Sequence, residues 1–133
     1  MTRVINSGMR LVCRLRKRDH ISEHLKRHRV LTMRNRIKLR LLTLIRKVLI
    51  TGMPGYLRDL VEEYVPGRNL RSVDQGLLKK QRAKTKNGTR SFRVLVPELW
   101  NELTKSIREC KSYTFFRNEV ENFLLMDVDC QIS

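Results

Sequence analysis

M-R-N-R-I-K-L-R-L-L-T-L-I-R-K-V-L-I-T, residues Met33–Thr51, is the stretch around which the rest of the chain must be arranged. Wound at 3.6 residues per turn, it puts Ile37, Leu41, Leu44, Ile45 and Val48 on one face. Leu39, Leu42, Leu49 and Ile50 spread apolar surface round the flanks. Only a narrow ridge stays polar: Arg36, Arg40, Thr43 and Lys47. Exposing that much apolar surface costs roughly 25 cal/mol per Å², so other elements must wrap the helix. Thr32 has the chemistry of an N-cap, Gly52 that of a C-terminal left-handed residue, and Pro54 stops any continuation. The expected fold is therefore mainly α: a multi-helix domain around a central helix at about 33–51, with at most a small β-hairpin near 77–95.

Charge is the second strong signal. The 133 residues carry 29 Lys and Arg against 13 Asp and Glu, a net charge of +16. The first fifty residues hold fifteen of the bases and two acids, Asp19 and Glu23, whereas from Pro97 onward acids outnumber bases. A segmental positive field of this size exceeds what solubility requires and calls for a polyanionic partner. Nucleic acid leads, as RNA–DNA hybrid or duplex; an anionic membrane surface is second. No apolar run is long enough to span a bilayer, and no signal-peptide pattern opens the chain. Three scattered cysteines, Cys13, Cys110 and Cys130, argue for reduced thiols, hence a nuclear or cytoplasmic setting, and against a disulfide framework or zinc ribbon.

Working outward, residues 2–18 read as an amphipathic helix with Ile5, Met9, Val12 and Cys13 on one face, and Arg3, Arg10, Arg14 and Lys17 on the other. The apolar face is expected on the central helix, the basic face towards phosphates. The segment H-I-S-E-H-L-K-R-H is a short helix starting near Ser22. His20, His24 and His28 recur every four residues, but a structural zinc needs four tight ligands, and Lys26, Arg27 and Arg29 repel a dication. No metal and no cofactor is expected. Pro54-Gly55 starts another short helix, with Leu57, Leu60, Val61 and Tyr64 at helical spacing up to Pro66-Gly67. Its Asp59, Glu62 and Glu63 could serve acid–base work, yet carboxylates on a polar helix face usually pair with nearby bases. Residues 79–90, K-K-Q-R-A-K-T-K-N-G-T-R, carry six bases and no acid. Asn87-Gly88 there signals a turn, so a basic loop or hairpin ending near 91–96 is expected. One glycine and no G-K-[ST] cannot build a phosphate-cradling P-loop. Residues 97–110 are helical, burying Leu99, Trp100, Leu103 and Ile107. Ser112 caps a last helix with the stripe Phe115, Phe116, Val120, Phe123 and Leu124. Residues 1–126 make one domain and 127–133 a frayed tail.

The order of motifs resembles a known family. R-V-I-N-S-G-M-R-L-V at 3–12, H-I-S-x-x-L at 20–25 and L-x-x-R-x-R-I-K at 31–38 open the series. M-P-G-Y-L-R-D-L-V at 53–61, Y-V-P-G-R-N-L-R-S at 64–72 and T-R-S-F-R-V-L-V-P-E-L-W-N-E-L at 89–103 follow, and Ile107-Arg108 and residues 115–125 close it. In that order they resemble the thumb and C-terminal segment of reverse transcriptases from LINE-type, jockey-like non-long-terminal-repeat retrotransposons. The chain departs at 28–33, where H-R-V-L-T-M replaces the family's L-H-W-L-P-V, and at Leu103-Thr104, where the family has L-P. The resemblance implies a thumb that packs beside the polymerase palm and grips the template–primer duplex. It implies no catalysis by this segment, since the palm holds its two metal ions with an aromatic-x-Asp-Asp motif. No Asp-Asp pair occurs here, and Asp127-Val128-Asp129 falls in the expected tail. Two-metal phosphoryl transfer needs carboxylates fixed a few ångströms apart.

The expected phosphate contacts are Arg10, Arg14 and Lys17, then Arg36, Arg40 and Lys47, then Lys84, Lys86 and Arg90. Catalytic residues: none. The rival reading is a relic or domesticated open reading frame acting as a protein-interaction module.

Overall fold

A computed structural model describes residues 2–67 and 76–126. The R-N-L-R-S motif segment at 68–72, Asp127, Asp129 and the rest of the expected tail lie outside them. The chain is mainly helical. In order come α1 (Thr2–Val12), α2 (Ser22–Arg27), α3 (Met33–Thr51), α4 (Gly55–Asp59), α5 (Phe92–Glu102), α6 (Lys105–Arg108) and α7 (Tyr113–Met126), with a 3-10 turn at Gly88–Arg90 before α5.

α3 has the expected bounds and ends. Thr32 is extended, and its hydroxyl accepts the Asn35 N–H at 3.3 Å. Gly52 closes the helix at φ 69°, a conformation that costs glycine nothing. The buried face, however, is rotated from the expected one. It consists of Asn35, Leu39, Leu42, Ile45 and Val48, while Ile37 is 51% and Leu44 38% exposed. α3 packs against α7, α5 and α4, and these partners select the face. The core joins the α3 residues to Val96, Leu99 and Trp100 of α5, Leu103, Ile107 of α6, and Phe116, Val120 and Leu124 of α7. All four residues expected to be buried between 97 and 110 are buried, and the Trp100 and Phe116 rings lie 5.8 Å apart. Phe115, placed in the α7 stripe by its spacing, is instead 56% exposed.

Two polar side chains of α3 tie down the ends of other helices. Buried Asn35 Nδ2 donates to the Leu124 carbonyl at 2.7 Å, in the last turn of α7. Arg46 donates to the Arg108 carbonyl at 2.9 Å and to the Cys110 carbonyl, with its guanidinium 5.4 Å from the Phe116 ring centroid. Both satisfy carbonyls that a helix end leaves without an internal partner.

Elsewhere the expected elements are shorter or different. α1 stops at Val12 instead of running to residue 18. Arg14 takes a left-handed conformation at φ 51°, and the Leu15 N–H closes back on the Arg10 carbonyl at 2.9 Å. α2 ends in the same way, with Arg29 at φ 52° and the Val30 N–H on the Leu25 carbonyl at 2.8 Å. These are Schellman-type closures with arginine where glycine is commonest. Met9 of α1 and Leu25 of α2 are buried, yet neither belongs to the main core cluster, so α1 does not lay the expected face into it. Val12, expected on that face, is exposed.

α4 ends at Asp59, before the expected Val61 and Tyr64. The chain beyond it runs alongside residues 77–79 through an isolated antiparallel bridge between Glu63 and Leu78. Leu78 turns its own backbone the other way, where the Asn101 side chain both accepts its N–H at 2.9 Å and donates to its carbonyl at 2.8 Å. Trp100 Nε1 donates to the Gly76 carbonyl at 2.8 Å beside it. No strand and no hairpin occurs among the described residues of 77–95; Phe92 to Val96 begin α5. Pro97, expected to open a helix, sits inside one. That helix breaks at extended Leu103, so the expected 97–110 helix is divided into α5 and α6.

Candidate nucleic-acid interface

Packing α7 along α3 leaves a groove on their solvent side. It has a volume of about 470 Å³ and a floor that includes the buried Leu31 and Leu39. Arg36, Arg40 and Thr43 of α3 form one wall. Tyr113, Arg117 and Glu121 of α7, spaced four apart and so stacked on one face, form the other. Arg29 closes one side, held by a 2.9 Å hydrogen bond from its Nη2 to Asn122 Oδ1 of α7. The left-handed turn at Arg29 brings this side chain to α7.

Four arginines and one glutamate give the groove a net charge of +3. Arg36, Arg40 and Arg117 make no ion pair and no side-chain hydrogen bond among the described residues. Thr43 is half-buried, its hydroxyl donated back to its own helix at the Leu39 and Arg40 carbonyls, 2.9 and 3.0 Å away. Guanidinium groups present planar forks of donors that match phosphate oxygens in pairs. Tyr113 also borders a second hollow, of about 380 Å³, with Lys47, Ile50 and Thr51. A basic track therefore runs from Arg29 past Arg36, Arg40 and Arg117 to Lys47, with one aromatic ring beside it.

Of the nine expected phosphate contacts, Arg36 and Arg40 come together in this groove, and Lys47 lies in the adjoining hollow. Arg10, Arg14 and Lys17 do not line it. With α1 ending at Val12, the expected helical ridge of these three does not form, and Arg10 Nη1 donates to the Arg16 carbonyl. Lys84, Lys86 and Arg90 are exposed on the segment that enters the 3-10 turn, away from the groove lining. Four polar groove residues escaped the sequence reading as site residues: Arg29, Tyr113, Arg117 and Glu121. The period of four from Tyr113 through Arg117 to Glu121, opposite the buried Phe116, Val120 and Leu124, was the available signal.

The acidic residues after α4 are engaged in ion pairs. Glu62 accepts from Lys79 Nζ at 2.7 Å and Glu63 from Arg58 Nη2 at 2.9 Å. The Lys79 hydrogen bond and charge hold the Glu62 carboxyl below its ordinary value. His28 Nε2 lies 3.5 Å from Cys13 Sγ. His20 precedes α2 and His28 follows it, so the three histidines do not share one helix. Among the described residues no group of three His, Cys, Asp or Glu could hold a metal ion, and no helix is long and apolar enough to cross a membrane.

Compared with protein families, with curated proteins and with solved structures, the chain finds no significant match.

Proposed function

We propose that this chain is a non-catalytic nucleic-acid-binding segment that grips the phosphates of a template–primer duplex, akin to the thumb of a LINE-type reverse transcriptase. The observation that carries this reading is the α3–α7 groove, where Arg36, Arg40 and Arg117 have no intramolecular partner among the described residues. Such an array positions a nucleic acid without reading its sequence, because phosphates carry no base identity. The net charge of +16 adds long-range attraction and speeds encounter. The motif series leads to the same kind of partner and supplies the context: a palm, on the parent polymerase, that would hold the metal ions and do the chemistry. A labelled RNA–DNA hybrid titrated at rising salt tests the reading. Affinity should fall steeply, and binding that ignores salt would remove the basis for it.

One observation favours the second reading, a protein-interaction module from a relic or domesticated open reading frame. Ile37, Leu44, Ile50 and Met53 are exposed, and Leu44 and Met53 border a shared hollow with Lys47, Thr51 and Pro54. An apolar surface of this kind could receive another protein, the palm included. Leu44→Gln with Met53→Gln, which adds no charge, should abolish such an association while leaving hybrid binding in place.

A further inference from the structure

We propose that the α3–α7 groove takes an unpaired stretch of nucleic acid, with Tyr113 as the stacking platform for one base. The inference rests on the phosphate-gripping reading and refines it: a duplex reaches these arginines only from the rim, whereas an unpaired strand enters the groove itself.

Shape is the first argument. A hollow of about 470 Å³ is the size of a small-ligand site and accommodates nucleotide units. A duplex is far wider and could touch only the rim. A single strand can lie along the floor with its phosphates towards both walls. Arg36 and Arg40 are one turn apart, about 6 Å along the helix axis, a step suited to neighbouring phosphates of an extended strand. Arg117 faces them from α7.

The second argument is the aromatic ring. Single-strand binding sites combine a basic track with exposed aromatic side chains on which bases stack, and every base offers a π-face. Tyr113 is 46% exposed and borders both the arginine groove and the Lys47 hollow. A strand passing from one to the other would have to cross this ring. Tyr113 is also the first residue of α7, a 14-residue helix whose N-terminal end favours negative charge. Glu121, the one acid among the lining residues, lies two turns away from Tyr113 along α7.

A neutral ring on a protein-binding surface would have no need of unpaired arginines on both sides. An acidic peptide would use the arginines but gain little from a stacking plane at their junction.

The test compares a labelled single-stranded RNA with the same RNA annealed to complementary DNA, at one salt concentration and then across a salt series. The strand should bind roughly ten-fold tighter than the hybrid. Tyr113→Ala and Tyr113→Leu should each lose roughly ten-fold on the strand, the scale of one stacked base, with little change on the hybrid. Tyr113→Phe, which keeps the ring, should bind as the parent does. Equal affinity for both probes, together with no effect of Tyr113→Ala or Tyr113→Leu, would overturn the single-strand inference. The phosphate reading would stand in that case if binding still fell with salt. Absence of salt-dependent binding to either probe would overturn both. Displacement of the strand by poly-glutamate at equal charge, or preference for phosphatidylserine vesicles over RNA, would also overturn the inference by assigning the groove to another polyanion.

Discussion

Asn35 in the first turn of α3 donates a 2.7 Å hydrogen bond to the carbonyl of Leu124 in the last turn of α7, and both residues are buried. One amide thus fixes how the two walls of the basic groove run past each other. Replacing it with alanine leaves a buried carbonyl without its donor, a loss of about 1–3 kcal/mol. Urea unfolding of Asn35→Ala should show that loss as a lower midpoint with an unchanged slope. An unchanged midpoint would mean that this hydrogen bond does not hold the helix pair.

Arg46 and Arg36 are both arginines of α3 but have opposite duties. Arg46 donates to the Arg108 and Cys110 carbonyls and lies over the Phe116 ring, whereas Arg36 lines the open groove. Arg46→Ala should therefore lower stability by about 2 kcal/mol, the scale of a charged hydrogen bond. Arg36→Gln should stay within about 0.5 kcal/mol of the parent, as surface changes do, while weakening nucleic-acid binding. Thermal melts and hybrid titrations of the two variants separate the roles.

Trp100 is 2% exposed, packs on Phe116 and donates its Nε1 proton to the Gly76 carbonyl. Trp100→Ala should cost about 3–5 kcal/mol. The native emission, which comes from the only Trp of the chain, should lie to the blue of free Trp in water and move red on unfolding. Emission already at the free value in the native protein would contradict this core.

Much of this core was legible in the chain, and the reasons differ by element. The α3 bounds follow from local chemistry, because Thr32 and Gly52 act on their own neighbours. Which face of α3 is buried depends on α7 and α5, so spacing alone chose Ile37 and Leu44 where packing chose Asn35 and Leu39. Pro97 marked a helix start because proline is favoured in the first turn, yet the helix begins at Phe92. Val94 and Val96, with Asn87-Gly88 before them, carried a β signal that tertiary packing overrode. The site was half legible. Arg36 and Arg40 are visible as a local ridge, but Arg29, Tyr113 and Arg117 join them only through the long-range packing of α7 on α3.

Glu62 gives a pH signature away from the groove. Its carboxyl is held below the ordinary value of 4.5 by the Lys79 hydrogen bond and charge. A depressed carboxyl stabilises the fold above its unfolded value, and that contribution is lost as pH falls through the lowered folded value. The Glu62 titration followed by NMR should thus lie below 4.5 in the parent and return towards it in Lys79→Gln. An identical titration in both proteins would show that the pair does not persist in solution.

The purified chain should extend no primer on RNA or DNA with Mg²⁺ or Mn²⁺ present, because no Asp-Asp pair exists in its sequence. Incorporation that survives replacement of Asp127 and Asp129 would relocate the chemistry.

The most direct measurement is the salt dependence of hybrid binding by three folded proteins: the parent, a groove variant with Arg36, Arg40 and Arg117 changed to Gln, and a loop variant with Lys84, Lys86 and Arg90 changed to Gln. Each contacted phosphate adds about −0.7 to −0.9 to the slope of log affinity against log salt, so about five contacts give roughly −3.5 to −4.5 in the parent. Both variants lose three positive charges, which equalises the general field. The groove variant should flatten the slope by about two to three units, and the loop variant by clearly less. A groove variant that keeps the parental slope while the loop variant loses it, or a parent whose binding does not respond to salt, would contradict the account.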